Sequence, residues 1–99
     1  SRGHFTRELI IDYSQRTVII KNKKIDFSNK EFEIIKLLSM NAGQIFDREK
    51  IYEVVWGFEA NGDSAVIKEH IRKIRMKLSR YSENEYLETV WGVGYRWKK

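Results

Sequence analysis

Ninety-nine residues, 41% hydrophobic, 13% aromatic and 33% charged, suit one globular domain with its own core and exclude a disordered chain. The absence of cysteine excludes disulfides and thiolate metal sites, and no apolar run approaches the roughly 20 residues of a membrane-crossing helix. The net charge of +5 is local: residues 64–80 carry six basic and one acidic side chain, while residues 1–63 carry ten of each and residues 81–99 three of each. A basic field confined to one segment attracts polyanions and steers their approach.

In chain order, Ser1-Arg2-Gly3-His4 lacks an initiator Met and is expected to be linker or a remnant ahead of a single domain over residues 1–99. Leu9-Ile10-Ile11, Thr17-Val18-Ile19-Ile20 and Ile25-Asp26-Phe27 are β-forming segments separated by polar turns, which predicts a small antiparallel meander. Ser28-Asn29-Lys30-Glu31 is a capping box, and Phe32, Ile34, Ile35, Leu37 and Leu38 behind it predict a helix ending near Asn41-Ala42-Gly43. Asp47 caps a second helix whose Ile51, Val54 and Val55 are expected to face inward and which Gly57 stops; Phe58 to Asp63 is a loop. A third helix follows over about 64–79, with Ile67, Ile71, Ile74 and Leu78 as one narrow apolar seam. Lys68, Arg72, Lys73 and Arg75 are expected on its far side, around Ala65, Glu69 and Met76. Two β-segments flanking Trp91-Gly92-Val93-Gly94 then predict a terminal hairpin over about 86–97. Strands, three helices and a hairpin make an α+β, winged helix-turn-helix order, with the third helix as reader and the hairpin as wing.

A basic amphipathic helix is more often a solvated face than a binding surface. Here the acidic partners that would sit four residues away are missing, since by that rule only Glu69 is placed to pair with Lys73. A membrane-surface role is disfavoured because the Ile and Leu seam is needed for the core and lacks interfacial aromatics. Two other classes stand: sequence-specific binding of double-stranded DNA, and a protein-interaction winged helix docking an acidic partner surface. The tip glycines equally suit a plain turn, and Trp56 and Tyr95 equally suit the core. His4 and His70 form no metal-ligand or nucleophile pattern and no glycine-rich phosphate loop is present, so no catalytic residue, metal or cofactor is expected.

Phe27-Ser28-x-x-Glu31-Phe32, Asp47-Arg48-Glu49-x-Ile51, Val55-Trp56-Gly57, His70-Ile71-Arg72-Lys73-Ile74-Arg75-x-Lys77-Leu78 and Thr89-Val90-x-Gly92-x-Gly94-Tyr95-Arg96 occur in that order. Together they resemble the C-terminal effector domain of OmpR/PhoB-type response regulators over nearly the whole chain. The resemblance implies a cytoplasmic two-component transcription factor, normally preceded by a receiver domain under a sensor kinase. The receiver itself is absent from this sequence. It places Arg48 and Trp56 near phosphates, Ala65, Val66, Glu69, His70, Lys73 and Arg75 along the major groove, and Thr89, Trp91 and Tyr95 in or beside the wing near the minor groove. Lys68 is also expected at the DNA; Arg48, Arg72 and Arg75 are expected to hold phosphates, and Glu69, Lys73 and His70 to read base edges. The resemblance also implies that the isolated domain is a monomer pairing on direct-repeat half-sites, and that the loop Phe58, Glu59, Ala60, Asn61, Gly62, Asp63 touches RNA polymerase. Two departures stand out. Trp91 occupies a place where relatives often carry Arg, and Ala65-Val66 replaces a common Arg-Thr pair, which predicts a different target sequence.

Overall fold

Alternation of apolar and polar residues in the first quarter of the chain produces a four-stranded antiparallel sheet in the computed structural model, which describes residues 3–99. Its strands are β1 (Gly3–Phe5), β2 (Leu9–Asp12), β3 (Thr17–Ile20) and β4 (Lys23–Ile25), in sequential order. Ser1 and Arg2, half of the leading segment expected as linker, lie outside the described residues; Gly3 and His4, the other half, pair with Asp12 and Ile11 in β1. Register follows burial: Leu9 sits opposite Ile20 and Ile11 opposite Val18, so the inward faces of β2 and β3 match. Lys21 and Asn22 adopt φ of 50° and 67°, the left-handed pair that a two-residue hairpin with native twist requires.

Helix α1 (Asn29–Met40) starts at the expected capping box: Ser28 Oγ accepts from the Glu31 amide at 3.2 Å, and Glu31 accepts from the Ser28 amide at 2.9 Å. Helix α2 (Arg48–Trp56) is capped by Asp47, which accepts from the Lys50 amide at 2.7 Å, and a short 3₁₀ turn, Gly57–Glu59, follows. Ile51 and Tyr52 are buried and Val55 is half-buried, but Val54 is exposed, contrary to expectation. At about 100° per residue, Val55 and Tyr52 lie about 40° and 100° to one side of Ile51, and Val54 falls about 60° to the other side, outside the buried arc.

Helix α3 (Val66–Ser79) begins two residues later than expected. The carboxylate of Asp63 accepts from the Ala65 amide at 2.9 Å, and the amides of residues 66–68 bond to carbonyls three residues back, so Ser64 and Ala65 form a tight turn. The chain ends in a hairpin of β5 (Leu87–Val90) and β6 (Gly94–Trp97). Paired backbone bonds between Phe46 and Tyr95, at 2.8 and 2.9 Å, fasten β6 to the segment ahead of α2. One core cluster unites the inner sheet face, α1, the seam of α3 and the fully buried Trp97. No helix among the described residues is long and apolar enough to cross a membrane.

Candidate nucleic-acid interface

The seam of α3 is buried as expected, with Ile67, Ile71, Ile74 and Leu78 each at most 3% exposed. Each such side chain contributes roughly 1.5–3 kcal/mol on burial. Like-charge neighbours on a helix cost only about 0.2–0.5 kcal/mol apiece. The core therefore holds a helix whose outer face is electrostatically unfavourable on its own.

That outer face carries Ala65, Lys68, Glu69, Arg72, Lys73 and Met76, all exposed. Arg72 grips Glu69 through both carboxylate oxygens, at 2.9 and 2.7 Å, so the pairing partner of Glu69 is Arg72 rather than Lys73. The hydrogen bonds from Arg72 hold the Glu69 carboxyl below its usual range and raise the guanidinium's own pKa. An exposed pair of this kind contributes little and opens readily toward a stronger anion. Lys68 and Lys73 form no ion pair among the described residues.

The two flanks of α3 face other parts of the protein. On one flank Arg75 is half-buried: its Nε donates to the Leu87 carbonyl at 3.0 Å and its Nη2 to Thr89 Oγ1 at 2.6 Å, with the guanidinium 5.8 Å from the Tyr95 ring centroid. This corrects its expected place on the far side. At about 100° per residue Arg75 lies only about 40° from Ile71, at the seam's margin, where the hairpin covers it. On the other flank His70 bonds through Nδ1 to the Val66 carbonyl at 2.9 Å and stands perpendicular to Trp56, with ring centroids 5.2 Å apart. Val66 is half-buried beside it, and Lys77 turns to α1, 2.7 Å from Glu31 and over the Phe27 ring.

Between α3 and the hairpin lies a cleft of about 490 Å³ that brings together Ala65, Lys68, Glu69, Arg72, Arg75, Thr89, Trp91 and Tyr95. An adjoining groove joins Arg48, exposed in the first turn of α2, to Lys68 and the hairpin tip. Trp56 does not line either; half-buried, it stacks on Tyr52 at 5.0 Å with the Lys30 ammonium 5.2 Å from its ring. Phe58 lies in the 3₁₀ turn rather than in the loop expected from residue 58 onward and is fully exposed, and the Gly62 amide donates to the Tyr52 hydroxyl at 2.8 Å. The arrangement suits an extended anion: cations and hydrogen-bond donors on two walls and no cluster of metal-ligating side chains among the described residues.

Several connections had no local signal in the sequence. Lys30 beside Trp56 is one. Glu8 is another: its carboxylate accepts from Ser82, Tyr86 and, at 2.9 Å, Asn84, tying β2's approach to the segment behind α3. Those side chains hold the Glu8 carboxyl down to about 2. Only the spacing of Arg75 along the helix carried a usable hint.

Residues 22–97 match the family described as "Transcriptional regulatory protein, C terminal". The chain is 36% identical over 88 residues to the heme response regulator HssR of Staphylococcus epidermidis, covering 89% of this chain and 39% of that protein. Among solved structures it is similar to the Thermotoga maritima response regulator DrrB, an OmpR/PhoB homologue, with a TM-score of 0.88 and 34% identity over all of this chain and 45% of that one. It is also similar to the DNA-binding domain of Klebsiella pneumoniae RstA in complex with the RstA box, with a TM-score of 0.83, 25% identity, and 99% and 98% of the two chains covered. The chain spans about two fifths of the length of the curated relatives it matches.

Proposed function

The chain belongs to the family of C-terminal DNA-binding domains of OmpR/PhoB-type response regulators, and from that premise we propose how it engages its DNA. Helix α3 lies in the major groove of double-stranded DNA and the hairpin follows the adjacent minor groove. The observation that carries this reading is the cleft between them, where Lys68 and Arg72 face Thr89 and Tyr95 across a gap open to an extended anion.

Phosphate contacts come from Arg48, Lys68 and Arg72, which fix register without reading sequence. Lys73 reads guanine O6 or N7, and Glu69, once Arg72 swings to a phosphate, accepts from a cytosine amine. Ala65 offers a methyl group to thymine. Arg75 positions the wing rather than contacting bases, and His70, Val66 and Trp56 support the helix from behind. Selecting duplexes from a random pool and measuring retention against unselected duplex tests this. The reading expects an enriched motif retained at moderate salt, and failure to retain any duplex overturns it.

Further partners follow from the same premise. A chain spanning two fifths of its relatives supports a receiver domain elsewhere in a cytoplasmic full-length protein, governed by a sensor kinase. Domains pair on direct-repeat half-sites, monomeric until then. The fully exposed Phe58 supports the loop over residues 58–63 as a contact to RNA polymerase. Phe58→Ala should weaken capture of purified polymerase without altering duplex affinity; an unchanged capture would remove that loop from the account.

A further inference from the structure

The hairpin turn presents two large apolar side chains to solvent: Trp91 is 89% exposed and Val93 is 55% exposed. Gly92 between them reverses the chain at φ 79°, and nothing lies within 4 Å of where a Cβ would stand, so no described residue packs against Gly92. The tip carries no cation. Of the hairpin's charged strand residues, Glu88 and Arg96 sit opposite each other and are paired at 2.7 Å. Yet Trp91 lines both the cleft with Lys68 and Arg72 and the groove with Arg48. Whatever polyanion those cations hold meets an indole at this point, with the Val93 isopropyl group two residues on in the same exposed turn.

An exposed guanidinium at such a place would favour the negative potential of a narrow minor groove. An indole has no charge to offer; it gains by leaving water and by stacking on a flat, apolar face. In duplex DNA that face becomes available when neighbouring bases are partly unstacked, as apolar wedges do in minor-groove binders. We propose that the wing tip is such a wedge: Trp91, together with Val93, enters the minor groove, opens one base step and bends the duplex. The proposal rests on the DNA-binding reading above and adds a specificity rule to it. The step under the wing should be an easily unstacked pyrimidine–purine step, TA or CA/TG, rather than part of a stiff A-tract.

The test uses a duplex recovered by selection, with a dye pair at its ends to report bending and 2-aminopurine placed in turn at each step flanking the α3 site. Wild type, Trp91→Ala and Trp91→Arg are titrated over a salt series, with circular dichroism confirming that each is folded. Wild type should shorten the end-to-end distance and raise 2-aminopurine emission at one step. Trp91→Ala should lose both signals and bind roughly tenfold more weakly, the scale of one lost base–aromatic contact, with an unchanged salt slope. Trp91→Arg should recover affinity with a salt slope steeper by about one and no emission rise. A Trp91→Ala protein that bends, unstacks and binds like wild type overturns the wedge and leaves the tip to some other surface, such as a protein partner. Wild type that binds without any salt dependence overturns instead the DNA reading beneath it.

Discussion

Gly92 and Gly94 stand two residues apart in the hairpin, and the fold needs each for a different reason, so alanine substitutions should separate them. At Gly94 an added Cβ would lie 2.8 Å from both Asp47 Cα and the Phe46 carbonyl carbon, and closer still to the Phe46 oxygen. These are backbone atoms that cannot swing aside. Gly94→Ala must push β6 off the segment ahead of α2 and strain or break the two backbone bonds between Phe46 and Tyr95. Two hydrogen bonds at roughly 1 kcal/mol each, plus about 1–3 kcal/mol of overpacking strain, give a destabilisation of roughly 3–5 kcal/mol. For a domain of this size that corresponds to a fall in Tm of roughly 12–40 °C. Gly92→Ala meets open space and carries only the left-handed backbone penalty of about 1–2 kcal/mol. Thermal melts and urea midpoints of the two variants provide the assay. A Gly94→Ala protein as stable as wild type, or less affected than Gly92→Ala, would refute the close approach as the reason for this glycine.

Other outcomes follow from the same geometry. The folded Glu8 carboxyl titrates at about 2 against 4.5 for an ordinary glutamate, so its bonds to Ser82, Tyr86 and Asn84 stabilise the fold above pH 4.5. That contribution fades as pH falls toward 2, and Glu8→Gln should flatten this part of a stability–pH profile followed by urea unfolding. Lys73→Ala should relax specificity at one base pair, by about 1–3 kcal/mol between right and wrong base, whereas Arg72→Ala should weaken all duplexes alike. Equal losses on every sequence for both variants would dissolve that division between reader and positioner. Arg75→Lys keeps the charge but cannot reach Leu87 O and Thr89 together as a fork. It should loosen the hairpin, seen as faster amide exchange over residues 87–90, and an exchange pattern like wild type would count against the clamp.

What could be read in advance divides by distance along the chain. The capping box at Ser28 and Glu31, the cap at Asp47 and the seam of α3 involve residues within a few positions of one another, and all three appear as expected. The order of strands, helices and hairpin followed from those local signals, and with it the face that bears Lys68, Arg72 and Lys73. Helical projection, however, marks residues such as Arg75 as marginal to the seam without saying what covers them. It could not register that the hairpin, 12–14 residues on in the chain, receives Arg75, that α2 receives His70, or that Glu31, 46 residues away, receives Lys77. Three of the segment's side chains with a basic nitrogen are thereby turned inward, and the basic surface left to solvent is narrower than the charge count suggested. Val54 illustrates the same limit: a valine in an apolar run is placed by where its neighbours find a core, and here that arc passes it by.

The central claim is that this surface binds duplex DNA by neutralising phosphates with a few named cations. Measuring log K against log salt for a selected duplex tests it directly. Arg48, Lys68 and Arg72 each displace about one counterion, so the slope per bound domain should be about −2.7. A slope indistinguishable from zero, at any affinity, would contradict the account.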